Sequence, residues 1–148
     1  MTANRVTYTL DSTLDSVNMA EETAEKMAAE SGFDQDESQR IAMAVREGAV
    51  NAVLHGNAYD PQKKMTVSYE KGLGKLAIII TDQGKGLDLK LVPNPLEPQN
   101  LLKNSGRGIF LMQAFMDEVI VRNLDPGTEI TMVKHVSDPA AAAQEESK

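Results

Sequence analysis

A chain of 148 residues with 41% hydrophobic content suits one folded domain, and the absence of a long apolar run predicts that no helix spans a membrane. The lack of cysteine excludes disulfides, cysteine-ligated zinc and thiol catalysis, and the first residues carry no signal-peptide pattern, so we expect a cytoplasmic protein. A net charge of −7 and the absence of tryptophan argue against nucleic acid and against an anionic membrane surface as partners.

The first half of the chain is predicted to form a strand, two helices and a hairpin. Val6, Tyr8 and Leu10 alternate with polar residues, which is typical of a strand with one solvated face. Asp34 is placed to cap the second helix, and a turn with two glycines predicts an antiparallel hairpin. The predicted elements are a strand at 5–10, helices at 13–31 and from 34 to near 56, and strands at 65–70 and 75–81.

The second half is predicted to contain a long irregular region, a short helix and two further strands. Three prolines interrupt any regular element between Leu87 and Ser105, and a loop of that length is usually functional or disordered. The elements that follow are predicted as a helix at 109–116 and strands at 118–122 and 129–136.

Residues 1–136 are predicted to form a single domain. Residues 137–148 have no core-forming side chains and are predicted to be a flexible tail. The order of elements indicates an α+β fold, a two-layer sandwich in which helices cover one face of a mixed, mostly antiparallel sheet.

Polar residues recur at a spacing of four within the second predicted helix, at Glu47, Asn51 and His55. On an α-helix this spacing stacks the three side chains on one face. Burying a carboxylate and an amide is costly unless a bound ion with its water, or a ligand, satisfies them. The alternative is a simple hydrogen-bonded pair of Glu47 and Asn51 on an exposed face, with His55 structural at the helix end.

Asp82 follows directly on the most apolar predicted strand, and Gly84 and Gly86 come just behind it. The two interpretations of this carboxylate differ in what it contacts. It either caps a tight turn after the strand or accepts a hydrogen bond from a base amino group, such as that of adenine.

Gly106 and Gly108 precede the helix predicted at 109–116. Backbone N–H groups and the helix dipole favour an anion at such a position, which predicts a phosphate cradle with Arg107 and Lys103 as counter-charges. The alternative is an ordinary glycine hinge. Neither a P-loop nor a dinucleotide fingerprint is present, so ATP binding would need another architecture.

These motifs, in this order, resemble those of the GHKL ATPase superfamily, whose members have the Bergerat, or histidine-kinase-like ATPase, fold. The resemblance extends from residue 34 to about residue 133. Glu47 and Asn51 match the family's N box, residues 82–86 its first glycine box and residues 106–108 its second.

Within the superfamily the sequence looks like the anti-sigma-factor serine/threonine kinases, on residues 47–57 and on residues 105–112 leading into 115–117. This resemblance implies a homodimeric enzyme that binds ATP and Mg²⁺, sequesters a sigma factor and phosphorylates a serine of an anti-anti-sigma antagonist protein. Such kinases often have a basic residue where Asn104 stands. The alternative is therefore an ATP-dependent partner-switching module with little or no kinase activity, or a structural α+β domain with coincidental motifs.

The resemblance also implies a role for each matched residue. Glu47 would act as general base on the attacking hydroxyl, Asn51 would coordinate Mg²⁺, and Asp82 would bind the adenine amino group. The first glycines would let the backbone pass close to base and ribose, and the second would close a lid at 87–105 over the phosphates. The implied cofactor-binding residues are Asn51, Asp82, Gly84, Gly86, Ser105, Gly106, Arg107 and Gly108.

Overall fold

The computed structural model describes residues 4–72, 74–84 and 104–136, which form five strands and three helices. A six-residue π-helical segment, Asn51–Gly56, continues the second helix without a break. The elements in chain order are β1 (Asn4–Asp11), α1 (Leu14–Glu30), α2 (Gln35–Val50), β2 (Lys64–Gly72), β3 (Lys75–Thr81), α3 (Asn104–Phe115), β4 (Glu118–Asn123) and β5 (Thr128–His135).

The five strands form one sheet in the order β1-β2-β3-β5-β4, and every neighbouring pair is antiparallel. The predicted α+β architecture and the hairpin between β2 and β3 are confirmed. β3 lies in the middle of the sheet, as its apolar sequence indicates. The chain therefore leaves the centre of the sheet at Asp82.

One face of the sheet carries the core. Val67, Ile80 and Ile130 are paired across β2, β3 and β5 and are all buried, because residues that face each other in register point to the same side. Helix α2 lies close against this face: a Cβ added to Gly48 would come within 2.8 Å of Ile80 Cδ1 and 3.3 Å of Met132 Cε. The glycine thus lets α2 pack directly on the central strands.

Local sequence signals account for where the first two helices begin. The Thr13 side chain accepts a hydrogen bond from the backbone N–H of Ser16 at 3.2 Å, and Asp34 Oδ1 accepts one from that of Glu37 at 2.8 Å. Both are N-caps, which satisfy backbone donors that the helix leaves without partners. Gly32 follows α1 with φ +101°, a conformation that glycine adopts at little cost.

Two boundaries differ from the sequence prediction. The helix from Asp34 does continue to Gly56, but its last six residues are π-helical. Helix α3 begins at Asn104, five residues before the predicted start, so Gly106 and Gly108 lie inside its first turns. The predicted lid up to residue 103, Gly86 among the proposed ligands, and the tail at 137–148 lie outside the described residues.

None of the described helices combines the length and the apolar character needed to cross a lipid bilayer.

Candidate functional site

Asn51 opens the π-helical segment and is buried, with 7% of its surface exposed. Its side-chain nitrogen, Nδ2, is enclosed and has no hydrogen-bond partner in the part of the chain that the structure describes. Burying an amide without a partner costs about 1–3 kcal/mol. The exposed-pair alternative therefore does not hold for Asn51, and its amide is available to a ligand.

Gly108, in the second turn of α3, packs directly on the Asn51 amide. A Cβ added to Gly108 would lie 3.1 Å from Asn51 Nδ2 and 3.6 Å from Oδ1. The structure thus brings the second glycine motif onto the predicted N box. Ser105, Gly106 and Arg107 lie in the first turn of the same helix.

Asp82 is the first residue after β3 and is also 7% exposed. Its backbone N–H donates to Thr128 O at 3.0 Å, and its Oδ1 accepts the N–H of Gly84 at 2.9 Å. Burial raises the pKa of Asp82, while hydrogen bonds from the backbone of Gly84 and Thr128 and the charge of Lys63 oppose that rise. The carboxylate caps a tight turn, as one interpretation predicts, and two oxygens leave acceptor capacity for a ligand.

Two glycines allow the π-helical segment to pack closely against the Asp82 carboxylate. A Cβ on Gly56 would come within 2.5 Å of Asp82 Cγ and Oδ2, and one on Gly84 within 2.0 Å of Gly56 O. No side chain fits at either position. Gly84 was predicted to allow a close backbone approach, and in the described residues that approach is to Gly56. Asn51 is therefore the first residue of the same six-residue segment that lies against Asp82 at Gly56.

Glu47 lies one helical turn before Asn51 and is half-buried, and its backbone carbonyl accepts the Asn51 N–H. His55 is exposed whereas Asn51 is buried, so the burial of Asn51 does not extend to His55. The segment that joins them is π-helical, with hydrogen bonds that span five residues, as from Asn57 N to Ala52 O.

Sequence reasoning did not single out Asn57, which belongs to the frame of the site, meaning the hydrogen-bonded segments that hold the turn after β3. Asn57 is 1% exposed, and its Oδ1 accepts the backbone N–H of Gln83, the residue after Asp82, at 2.8 Å. Gly56 was missed as well. The available signal for both was the pair Gly-Asn at the end of the predicted helix, because a small residue and an amide residue suit a close crossing of two backbones.

The described side chains fit a magnesium nucleotide. The enclosed amide nitrogen of Asn51 has no partner among the described residues, and half a turn of the side-chain amide would put its oxygen, a cation ligand, at that position. One protein ligand is normal for Mg²⁺, because waters and the phosphate oxygens of the nucleotide supply its other ligands. The carboxylate of Asp82 offers an acceptor to a ring amino group.

Comparisons with known proteins agree with this geometry. A family model described as a histidine kinase-like ATPase domain matches residues 10–134. The chain is 33% identical over 111 residues to the anti-sigma F factor of Geobacillus kaustophilus, covering 72% of this chain and 75% of that protein. It is 30% identical over 121 residues to the serine-protein kinase RsbW of Bacillus licheniformis, covering 78% of this chain and 75% of that protein.

Solved structures share the fold. The crystal structure of the RsbU and RsbW domains of a Mycobacterium tuberculosis protein gives a TM-score of 0.66 at 22% identity, covering 92% of this chain and 33% of that longer chain. The histidine kinase domain of a blue-light activated kinase from Erythrobacter litoralis gives 0.57 at 18% identity, covering 85% of this chain and 63% of that chain. The predicted resemblance is confirmed, and this chain belongs to the histidine kinase-like ATPase domain family.

Proposed function

We propose that this chain is an anti-sigma factor with serine/threonine protein kinase activity, which binds a sigma factor and phosphorylates a serine of the antagonist protein that releases it. The proposal is carried by the enclosed amide nitrogen of Asn51, which has no partner among the described residues. Asn51 opens a segment whose other end packs on the buried carboxylate of Asp82. Relatives named anti-sigma F factor and serine-protein kinase RsbW, at about 30% identity over most of the chain, support it.

Adenine recognition falls to Asp82 in this proposal. Its carboxylate accepts a hydrogen bond from the amino group of the base, a donor that guanine lacks at that ring position. The close contact of Gly84 with Gly56 O leaves no room for a side chain beside the carboxylate. Gly86 is proposed to continue this close backbone approach toward base and ribose.

Asn51 is proposed to hold Mg²⁺ through its amide oxygen. When bound, ATP supplies the phosphoryl group that is transferred and Mg²⁺ neutralises the phosphate charge, so the protein's task is mainly to position the reactants. The start of α3 faces the same amide through Gly108. Helix N-termini attract anions, which supports phosphate contacts for Ser105, Gly106, Arg107 and Gly108.

Glu47 is proposed as the general base that takes the proton from the attacking serine hydroxyl. It lies one helical turn before the proposed metal ligand Asn51, and its partial exposure supports access by a protein substrate. A well-placed general base contributes about 10²–10⁴-fold to a rate.

The decisive experiment combines calorimetric titration of Mg-ATP with a phosphotransfer assay on the cognate antagonist protein. Wild type is expected to bind ATP and yield phosphoserine, whereas Glu47→Ala should keep binding and lose phosphotransfer by at least about 100-fold. Glu22→Ala, on the exposed side of α1, is the matched control and should behave as wild type. Undiminished transfer from Glu47→Ala would remove Glu47 from this role.

The same experiment tests the partner-switching alternative. That alternative is motivated by Asn104, which stands where such kinases often have a basic residue. In that case ATP changes the affinity for the partner protein, no phosphoserine forms, and Glu47→Ala leaves the partner response intact. Absence of ATP binding by wild type would overturn both functions.

A homodimer in the cytoplasm belongs to the same proposal. The family resemblance implies the dimer, and the edge strand β4 presents Ile120 with 56% of its surface exposed, a large apolar side chain available to a second copy. Sedimentation velocity at several concentrations tests the dimer: a single monomeric species at high concentration would contradict it.

A further inference from the structure

A buried hydrogen-bond network surrounds the side chain of Asn57, just beyond the π-helical segment. Its Nδ2 donates to Ser12 Oγ at 2.9 Å and to Lys64 O at 3.1 Å, and its Oδ1 accepts the N–H of Gln83 at 2.8 Å. The Ser12 hydroxyl in turn donates to Lys63 O at 2.7 Å. One amide therefore joins the end of β1, the start of β2 and the chain leaving β3.

The segment that carries Asp82 is held by three consecutive backbone N–H groups. Asp82 N donates to Thr128 O at 3.0 Å, Gln83 N to Asn57 Oδ1 at 2.8 Å and Gly84 N to the carboxylate of Asp82 itself at 2.9 Å. The middle bond is the one in which a side chain from elsewhere in the sequence fixes this turn. Asn57 thereby sets where the backbone goes directly after the carboxylate.

Asn57 is itself firmly placed. Its backbone N–H donates to Ala52 O inside the π-helical segment at 2.7 Å, and its side chain is 1% exposed. The side chain of Gln83 reinforces the arrangement, because its Oε1 accepts the N–H of Lys64 at 2.6 Å. Fully paired buried networks of this kind rigidify the groups they connect.

We propose that Asn57 is a positioning residue for base recognition: without touching the nucleotide, it fixes the turn after β3 so that the Asp82 carboxylate is aimed at the amino group of the base. The inference rests on the proposed function, which gives Asp82 its partner. Hydrogen bonds weaken steeply with misalignment. A turn freed at Gln83 therefore loses preference for an amino-bearing base more than it loses general nucleotide affinity.

The test compares the affinities for ATP and for purine riboside 5′-triphosphate, which lacks the amino group, by calorimetry with Mg²⁺ present. The measured quantity is the ratio of the two dissociation constants. Wild type is expected to prefer ATP by at least about tenfold, the size of one good hydrogen bond. Asp82→Asn should reduce the ratio toward one, because Gly84 N–H claims the amide oxygen and leaves an NH₂ group facing the base.

Asn57→Ala is expected to reduce the ratio about as far as Asp82→Asn does, and the double variant should lose little more, since both changes remove the same interaction. Ser12→Ala is the matched control: it removes the other arm of the Asn57 network and leaves the Gln83 contact. It is expected to destabilise the fold and keep the wild-type ratio. Folding of each variant is checked by circular dichroism at the titration temperature.

The possible results separate the two levels of the proposal. If wild type binds ATP without preference, the proposed role of Asp82 fails and the inference with it. If Asp82→Asn removes the preference but folded Asn57→Ala keeps it, or Ser12→Ala loses it equally, the inference alone is overturned. Hydrogen exchange on wild type needs no variant: the Gln83 N–H should be protected like its neighbours in β3, and rapid exchange there would also overturn the inference.

Discussion

The two ends of the π-helical segment use buried asparagines in opposite ways. Asn57, beyond its last residue, is 1% exposed and bonds three other segments through its side chain. Asn51, its first residue, is 7% exposed and has an Nδ2 without a partner among the described residues. A paired buried amide contributes to stability, whereas an unpaired one lowers it. One end of the segment is thus built as frame, and the other is kept for a ligand.

The largest effect that tests this contrast is expected for Asn57→Ala. The change removes three hydrogen bonds and leaves the part-buried N–H of Gln83 without its acceptor. The free energy of unfolding, from urea titration, should fall by about 2–4 kcal/mol. A loss below about 1 kcal/mol would show that the frame does not depend on this amide.

Gly56→Ala should have the next largest effect, because it forces the segment away from the carboxylate that Gly56 contacts. The new Cβ would lie 2.5 Å from Asp82 Cγ, and Gly84 leaves no space behind it. Overpacking of this kind costs about 1–3 kcal/mol, and affinity for ATP should fall with stability. Gly72→Ala is the control, since its Cβ meets only the flexible Lys75 side chain at 3.2 Å. Equal effects at both glycines would contradict the expectation.

Asn51→Ala should reverse the pattern of Asn57→Ala. Stability should stay within about 0.5 kcal/mol of wild type, or rise, because the amide nitrogen that is removed has no partner within 4–72, 74–84 and 104–136. Affinity for ATP in the presence of Mg²⁺ should fall at least tenfold, about 1.4 kcal/mol, while the weaker binding without Mg²⁺ changes little. Asn18→Ala, at an exposed residue bonded to Arg46, controls for the loss of an amide. A large stability loss in Asn51→Ala would place this residue in the frame instead.

The contrast also explains how far the sequence could predict this molecule. The cap at Asp34 and the position of Asp82 after the central strand follow from local patterns of a few residues, and these predictions are confirmed. The contact of Asn57 with Gln83 joins residues 26 positions apart and depends on how the backbones cross. Such a contact has no local signal.

The same limit applies to the π-helical geometry and to helix α3. An α-helix and a π-helix can have the same residue pattern, so the sequence did not predict that residues 51–56 are π-helical. Helix α3 begins earlier than predicted because glycines at 106 and 108 suggested a loop, whereas Gly108 is required inside the helix by its contact with Asn51. Tertiary contacts there override the low helix propensity of glycine.

The smallest expected effect concerns the charge of Asp82 in the nucleotide-free protein. Burial raises its pKa in the folded state above the value in the unfolded chain, so the folded state holds the proton more tightly. Stability attributable to this group is therefore present at low pH and is lost as pH rises through the raised pKa. Asp82→Asn removes the buried charge and keeps an oxygen for the Gly84 N–H. The variant should be more stable than wild type at neutral pH, and the difference should shrink as pH falls through the usual carboxyl range. Unfolding free energies of both proteins, measured across that range, test this expectation. If the stability of wild type relative to the variant rose with pH, the ionised carboxylate would be stabilised by its surroundings and would belong with the frame around Asn57.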